Sequence, residues 1–161
     1  MPEYCVRVTK DYLVFSAGHF ITFNGNQCER LHGHNYRVEA EIRGALDENH
    51  YVVDFIALRD ALHRITLQLD HHMLLPTQHP MISVEPDDQE VLVTFEHKRW
   101  IFPLDDCVLL PVPNTTTELL AKYIGEQLIA DMGETLTANA TSIRIAVDEN
   151  NGQWGEWLET F

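Results

Sequence analysis

The feature that most constrains the fold is a short polar motif joined directly to an alternating strand. Residues 28–35 read C-E-R-L-H-G-H-N, and residues 36–43 then alternate apolar and charged side chains, as a half-buried strand does. Because successive side chains of a strand point to opposite faces, His32 and His34 lie on one face with only Gly33 between them. Two imidazoles on one face can share a metal ion.

A third histidine, His19, precedes this motif and is the obvious candidate for a further ligand. The segment from Tyr4 to Phe15 has a period of two with a break at residues 10–11, which predicts strand structure just before it. Catalytic zinc sites take three protein ligands and leave the fourth position for water or substrate. The spacing favours such a zinc site over the alternative, in which His19, His32 and His34 are ordinary surface or hydrogen-bonded histidines.

The composition is that of a soluble globular domain, with 161 residues of which 45% are hydrophobic and 22% charged. The net charge of −14, with only 11 Lys and Arg residues, argues against a nucleic-acid partner. A small anionic substrate stays possible if a bound divalent cation supplies local positive charge. There is no apolar run long enough for a bilayer and no signal-peptide pattern, so we expect no membrane partner and a cytoplasmic location.

Two helices are predicted. The first should run from about Phe55 to Leu67 behind Asp54, a good N-cap residue. The second is indicated by a capping-box pattern of Thr115 and Glu118 and should end at Gly133.

The segment at about 76–113 fits neither helix nor simple strand and is interpreted as an exposed insertion that carries an extra hairpin, with strands near 91–95 and 100–102. A last strand is predicted over Thr141–Val147. This order of elements predicts a single α+β domain over 1–161, with an antiparallel sheet covered by helices on one face. A small sheet with free edges favours closure by neighbouring subunits, hence a homo-oligomer.

Several further residues have both a structural and a chemical interpretation. Cys28 is either a small core residue or a partly ionised thiolate that acts as a base or nucleophile. Asp70 and His71 either decorate a helix end or form an acid and imidazole pair for proton transfer. Glu118 suits a helix cap and Glu149 a solvated loop, although a carboxylate can also clamp a guanidine-like heterocycle.

Six sequence blocks, taken together, resemble the pyruvoyl- and carboxy-tetrahydropterin synthase family. They are similar to its F-S-A-A-H (residues 15–19), C-x-x-x-H-G-H-N-Y (28–36), I-D-F (53–55), L-D-H (69–72), P-T-x-E (116–118) and K-E-T (148–150) motifs. The blocks follow in order over nearly the whole chain and leave out mainly the insertion at about 76–113.

The resemblance implies the tunnelling fold (T-fold). In it each subunit has a four-stranded antiparallel sheet and two helices, three subunits close a barrel, and two barrels stack into a hexamer with active sites at subunit interfaces. It also implies a role for each candidate residue: zinc at His19, His32 and His34; proton transfer by Cys28, Asp70 and His71; and anchoring of the pterin ring by Glu149 with help from Thr117 and Glu118.

The resemblance further implies a pterin triphosphate substrate. The three residues between Cys28 and His32 resemble the queuosine-pathway branch, which converts 7,8-dihydroneopterin triphosphate to 6-carboxy-5,6,7,8-tetrahydropterin. Glu29 resembles the branch that cleaves the same substrate to 6-hydroxymethyl-dihydropterin for folate synthesis. Dual activity and a non-catalytic pterin-binding homologue are further alternatives. Phe20 stands where the family often has Arg, so the residues that bind the triphosphate are not identified.

Overall fold

The computed structural model describes residues 2–161. The strands are β1 (Tyr4–Val8), β2 (Val14–His19), β3 (Thr22–Phe23), β4 (Gln27–Cys28), β5 (His32–Gly44), β6 (His72–Pro76), β7 (Ser83–Pro86), β8 (Glu90–Phe95), β9 (Lys98–Pro103), β10 (Cys107–Leu110), β11 (Ala140–Asp148) and β12 (Trp154–Thr160). The helices are α1 (Phe55–Leu69), α2 (Thr117–Met132) and α3 (Glu134–Thr137), and a 3₁₀ turn covers Leu104–Asp106.

The main sheet has seven strands in the order β10-β6-β2-β5-β11-β12, with β1 also paired to β5. The pairs of β6 with β2 and β10 are parallel and the others antiparallel, so the expectation of a four-stranded antiparallel sheet is wrong. The added strand β6 is buried along almost its whole length. A strand buried on both faces reads as a continuous apolar run, here M-L-L-P, and shows no alternation.

Strand β5 is 13 residues long and organises the sheet. Its first half pairs with β2 and its second half with β1, so the predicted first strand is in fact two strands that share one partner. In this register His19 lies opposite His32. Strand β11 runs along the other side of β5 and reaches Asp148 opposite Arg37.

The two long helices begin and end close to the predicted positions. The Asp54 side chain caps α1, as expected. Helix α2 ends at Gly133, whose φ of 53° places it in the left-handed region that glycine tolerates. The predicted capping box is wrong, because the N-cap residue is Thr116 and Thr115 turns inward, with its Oγ1 3.3 Å from His19 Nδ1.

Helices α1 and α2 pack against each other and against the main sheet, and they enclose a large apolar core. At the end of this core nearest the histidines, Phe15 stacks on Tyr36 with 4.7 Å between ring centroids. None of the helices within residues 2–161 is long and apolar enough to span a bilayer.

The insertion forms a separate three-stranded sheet, β7-β8-β9, whose β8–β9 hairpin matches the predicted alternation. One face of this sheet is buried and builds a second core with residues of the main sheet and its loops. The buried members of this second core are Phe20, Met73, Leu75, Ile82, Val91, Val93 and Phe95. The Phe20 ring stacks on Trp100 at 4.5 Å, so Phe20 joins the two sheets.

Candidate active site

Three histidines from two paired strands converge at one end of the main sheet. His19 ends β2 and His32 begins β5, and His34 follows on the same face of β5. The ring centroid of His19 lies 4.8 Å from that of His32 and 5.2 Å from that of His34, and the His32 and His34 centroids are 4.9 Å apart. The structure thus brings together the three residues that the spacing predicts as metal ligands.

Backbone carbonyls orient two of these rings. The Nδ1 atom of His19 lies 2.9 Å from Thr115 O, and that of His32 lies 2.7 Å from Arg30 O. Because a carbonyl only accepts, each Nδ1 carries the proton and each Nε2 keeps a free lone pair. The Nε2 atoms of His19 and His34 are buried and have no hydrogen-bond partner within residues 2–161. Buried polar atoms of this kind are costly unless a ligand satisfies them.

Glu149 adds an oxygen to the three nitrogens. One ligand atom each from His19, His32, His34 and Glu149 lies within 4.8 Å of the other three. Glu149 Oε1 is 3.1 Å from His34 Nε2, but the two atoms form no hydrogen bond. Three imidazole nitrogens and one carboxylate oxygen could together hold a metal ion, and the two orphaned nitrogens fit such a role.

Burial keeps His19 neutral at physiological pH. It lowers the pKa of His19 to about 4, so the ring is in the unprotonated form that binds metals. Burial also raises the pKa of Tyr36 well above its usual range, and the charge of Glu149 adds to this. The Tyr36 hydroxyl is buried without a partner among the described residues, and its ring lies 5.5 Å from that of His34. Sequence reasoning missed Tyr36, although it follows His34 by two positions and therefore shares its face.

Cys28 and Glu29 are neighbours in sequence but occupy different surroundings. Glu29 Oε2 lies 3.9 Å from His32 Nε2 and accepts a hydrogen bond from Ile21 N. Cys28 is half-buried and packs against the second core. Burial raises the pKa of the Cys28 thiol, and the charge of Lys98 offsets this only in part. These contacts favour the neutral thiol in the metal-free chain, and the role of Cys28 as a base stays a prediction.

Asp70 and His71 form the expected hydrogen-bonded pair, with 2.8 Å between Asp70 Oδ2 and His71 Nδ1. Asp70 Oδ1 accepts a bond from Ser16 N, and this bond and the contact with His71 lower the pKa of Asp70. The His71 side chain is 81% exposed, and its φ of 59° is unusual for a residue with a side chain. This pair is not part of the four-ligand cluster.

A groove of about 660 Å³ runs past both groups. Its lining includes His32, His34 and His71, together with Phe102 and Asp106 from the end of the insertion. The histidine cluster, the Asp70–His71 pair and the inserted segment therefore border one cavity. The insertion is not a remote surface decoration.

Thr117 and Glu118, the other predicted binding residues, begin α2 and lie outside the four-ligand cluster. Their side chains are in contact, with Thr117 Oγ1 3.4 Å from Glu118 Oε2. Strand β12 packs closely on this turn, since a Cβ atom added at Gly155 would lie only 2.6 Å from Thr117 Cβ.

Asp148 is a positioning residue that the sequence reasoning did not single out. It is 1% exposed and accepts hydrogen bonds from the backbone N–H groups of Gly152 and Gln153. Arg37 Nη2 lies 2.6 Å from its Oδ2. Burial by itself raises the pKa of Asp148, but the bonds from Arg37, Gly152 and Gln153 together lower it. Asp148 therefore holds the turn that presents Glu149, and the signal for it was the D-E-N-N-G turn sequence after a regular strand.

Comparison with known proteins gives one consistent family. A family model described as 6-pyruvoyl tetrahydropterin synthase matches residues 7–159. A Methanocaldococcus jannaschii protein with the provisional name 6-carboxy-5,6,7,8-tetrahydropterin synthase is 31% identical over 88% of this chain and 86% of its own length. The Aquifex aeolicus 6-carboxy-5,6,7,8-tetrahydropterin synthase is 30% identical over 95% of this chain and 90% of its own.

Solved structures agree. The crystal structure of 6-pyruvoyl tetrahydropterin synthase from Plasmodium vivax has a TM-score of 0.92 and 29% identity, and the match covers 100% of both chains. A form of that protein described as a catalytic residue mutant, in which alanine replaces a glutamate, has a TM-score of 0.93 and 28% identity. The chain is thus an α+β protein with the T-fold of these synthases.

Proposed function

The chain belongs to the 6-pyruvoyl tetrahydropterin synthase family, and from that premise we propose that it converts 7,8-dihydroneopterin triphosphate to 6-carboxy-5,6,7,8-tetrahydropterin in a zinc-dependent reaction. It is an enzyme of the tetrahydropterin synthase type, a lyase. The observation that carries the proposal is the convergence of three histidine nitrogens and Glu149 within 4.8 Å. The name shared by relatives at 31% and 30% identity favours the carboxy product. In this proposal the enzyme is cytoplasmic and serves queuosine synthesis.

His19, His32 and His34 would hold the zinc ion. When bound there, zinc supplies Lewis acidity and lowers the pKa of a hydroxyl group that it contacts. The chain orients the ligands through Thr115 O and Arg30 O, since these carbonyls fix the tautomer and direction of two rings before any metal binds.

The substrate needs a base and a proton donor, because its side chain is rearranged through proton transfers. Cys28 and Glu29 are the candidates for the base; Glu29 lies beside His32, and Cys28 precedes it in the same loop. The Asp70–His71 pair would relay a proton. Since His71 is 81% exposed and fixed by Asp70, we propose that it completes the active site of a neighbouring subunit in a trimer or hexamer.

Glu149 would anchor the pterin ring, which presents two N–H groups in the geometry that a carboxylate accepts with two parallel bonds. Its place beside His34 would set the ring next to the zinc ligands. Thr117 and Glu118 would contribute from the first turn of α2, in the same 1–161 domain.

A second candidate is cleavage of the same substrate to 6-hydroxymethyl-dihydropterin for folate synthesis. Two observations favour it. Glu29 Oε2 is 3.9 Å from His32 Nε2, whereas the Cys28 thiol packs toward the second core. In the Plasmodium vivax synthase the residue described as catalytic is also a glutamate. An enzyme with both products is compatible with the pair Cys28 and Glu29.

The test is product analysis by mass spectrometry after the zinc-loaded protein is incubated with 7,8-dihydroneopterin triphosphate. Cys28→Ala should abolish the carboxy product and Glu29→Ala any hydroxymethyl product, each with a loss of about 10²- to 10⁴-fold in rate. Glu29→Gln is the matched control for shape without basicity. If both products survive both alanine changes, neither residue is the base. Saturable pterin binding without turnover in the wild type would instead show a non-catalytic homologue.

The shared active site has its own experiment. Neither a Cys28→Ala/Glu29→Ala variant nor a His71→Ala variant should be active alone. Mixed oligomers of the two should recover activity if His71 serves a neighbouring subunit, because some sites then contain an intact copy of each group. If mixed oligomers of proven composition recover no activity, Cys28, Glu29 and His71 act in the active site of a single chain.

A further inference from the structure

The positive side chains of this acidic chain are distributed unevenly. Seven of its 11 Lys and Arg residues have a carboxylate oxygen within 4.0 Å: Arg7, Arg37, Arg43, Arg59, Arg64, Lys122 and Arg144. Within residues 2–161 the other four, Lys10, Arg30, Lys98 and Arg99, have none. Three of those four lie in the loop from Cys28 to His32 or at the strand end that contacts it.

Lys98 makes this contact. It is the first residue of β9, and its Nζ lies 3.2 Å from Cys28 O. Lys98 is half-buried, and its charge offsets part of the rise that burial causes in the pKa of the Cys28 thiol. Arg30 directly follows Glu29, and its carbonyl holds the His32 ring. Two cations with no ion pair therefore flank the segment that contains the candidate bases.

No cation reaches this region from β2. The next residue after His19 is Phe20, which is 1% exposed and stacks on Trp100 of β9. The same stacking holds the start of β9 against the Cys28 loop. The insertion thus places Lys98 beside the Cys28 loop, whereas the residue that follows β2 has an apolar side chain.

A polyphosphate that binds near Cys28 needs local positive charge. The chain has a net charge of −14, and two carboxylates, Glu29 and Glu96, also act on Cys28. A polyphosphate can bind beside such groups only where local cations outweigh them. Loss of a single cation here should therefore weaken the binding of a phosphorylated ligand and leave the binding of a neutral ligand unchanged.

On the premise of the function proposed above, we propose that Lys98 of the inserted sheet and Arg30 form the subsite for the triphosphate group of the substrate. The insertion is then a specificity element of the active site. Lys98 binds the charged tail and, with Arg30, distinguishes a phosphorylated pterin from a free one.

The test compares binding of two oxidised, non-reacting probes, neopterin triphosphate and neopterin, to the zinc-loaded protein by fluorescence titration. Lys98→Met should weaken binding of neopterin triphosphate by about tenfold or more and leave neopterin within about twofold. Lys98→Arg should keep most of the affinity. Lys98→Met/Arg30→Met should lose most of the advantage of the triphosphate, and the salt dependence of its binding should decrease.

Lys10→Met is the matched control, because Lys10 also has no carboxylate partner among residues 2–161 but lies between β1 and β2, away from the Cys28 loop. It should bind both probes as the wild type does. Equal weakening of both probes by Lys98→Met would mean that Lys98 only tethers the loop, and no change with either would also overturn the subsite. If the wild type binds neither probe, the proposed function itself fails. If it binds both equally, only the subsite fails.

Discussion

The histidine cluster and the inserted sheet lie side by side but are held in place in different ways. The cluster draws its donors from β2, β5 and the turn after β11, and β5 is hydrogen-bonded to both β2 and β11. The inserted sheet has no strand pairing to β2 or β5 and is placed by apolar packing around Phe20. The histidine cluster is thus fixed by backbone geometry, and the proposed triphosphate subsite by side-chain packing. The two regions should respond differently to mutation.

The largest expected effect is on the cluster. His32→Ala should remove most of the bound zinc, because only two of the three proposed histidine ligands remain and Glu149 is assigned to the pterin ring. Metal content per chain, measured by elemental analysis after exhaustive dialysis, checks this. His97→Ala, in the exposed turn of the insertion, should keep a full complement. Full zinc in the His32→Ala protein would contradict the ligand assignment.

The second prediction concerns the packing between the two sheets. Phe20→Ala should cost about 3–5 kcal/mol in the free energy of unfolding, because it leaves a cavity under Trp100 in the second core. The loss should fall mainly on the insertion, so hydrogen exchange should accelerate in β7–β9 while zinc content is retained. Phe23→Ala, at a residue 43% exposed, is the control and should change stability little.

This contrast also explains how much the sequence could predict. The cluster was predictable because spacing on a strand decides which face a side chain takes, so His32 and His34 had to lie together. The helix ends at Asp54 and Gly133 follow from the same kind of local rule. Local patterns also suggest the capping box at Thr115, but there the contact with His19 takes the side chain inward, and tertiary structure overrides the local preference.

Contacts between distant segments are beyond such patterns. Nothing near Phe20 indicates that Trp100, 80 positions later, stacks on it, so the sequence favours an exposed insertion. Strand β6 is not predicted because it is buried on both faces, so its sequence does not alternate between apolar and polar residues. The position of Glu29 next to His32 and of Cys28 against the second core likewise depends on how the loop folds.

A third prediction uses the buried member of the cluster. In the metal-free protein the pKa of His19 is about 4 when folded, against about 6.5 in the unfolded chain. The unfolded state then binds more protons between these values, so stability is full above pH 6.5 and falls as the pH drops to about 4. The loss should be about 3 kcal/mol. The free energy of unfolding, measured with denaturant across this pH range, should depend less steeply on pH in His19→Gln than in the wild type. In His97→Gln the pH dependence should be that of the wild type.

The smallest expected effect comes from a comparison of two aspartates, one in each region. Both accept hydrogen bonds from backbone N–H groups in a turn. Asp148 holds the turn before β12, and Asp87 accepts two backbone N–H bonds, from Gln89 and Glu90, in the turn before β8. Asparagine keeps an oxygen acceptor at either position but loses the charge. At Asp148 the charge also pairs with Arg37, whose side chain is 52% exposed and therefore screened by water.

Asp148→Asn should therefore cost only about 1 kcal/mol at neutral pH, as measured by urea unfolding. Because the pKa of Asp148 is lowered in the folded protein, its contribution is present above pH 3.8 and is lost as the pH falls through the folded pKa. The difference between wild type and variant should thus shrink in acid. Asp87→Asn, in an exposed turn, should unfold as the wild type does. A larger loss for Asp87→Asn than for Asp148→Asn would mean that the inserted sheet depends on its turns more than on the packing around Phe20.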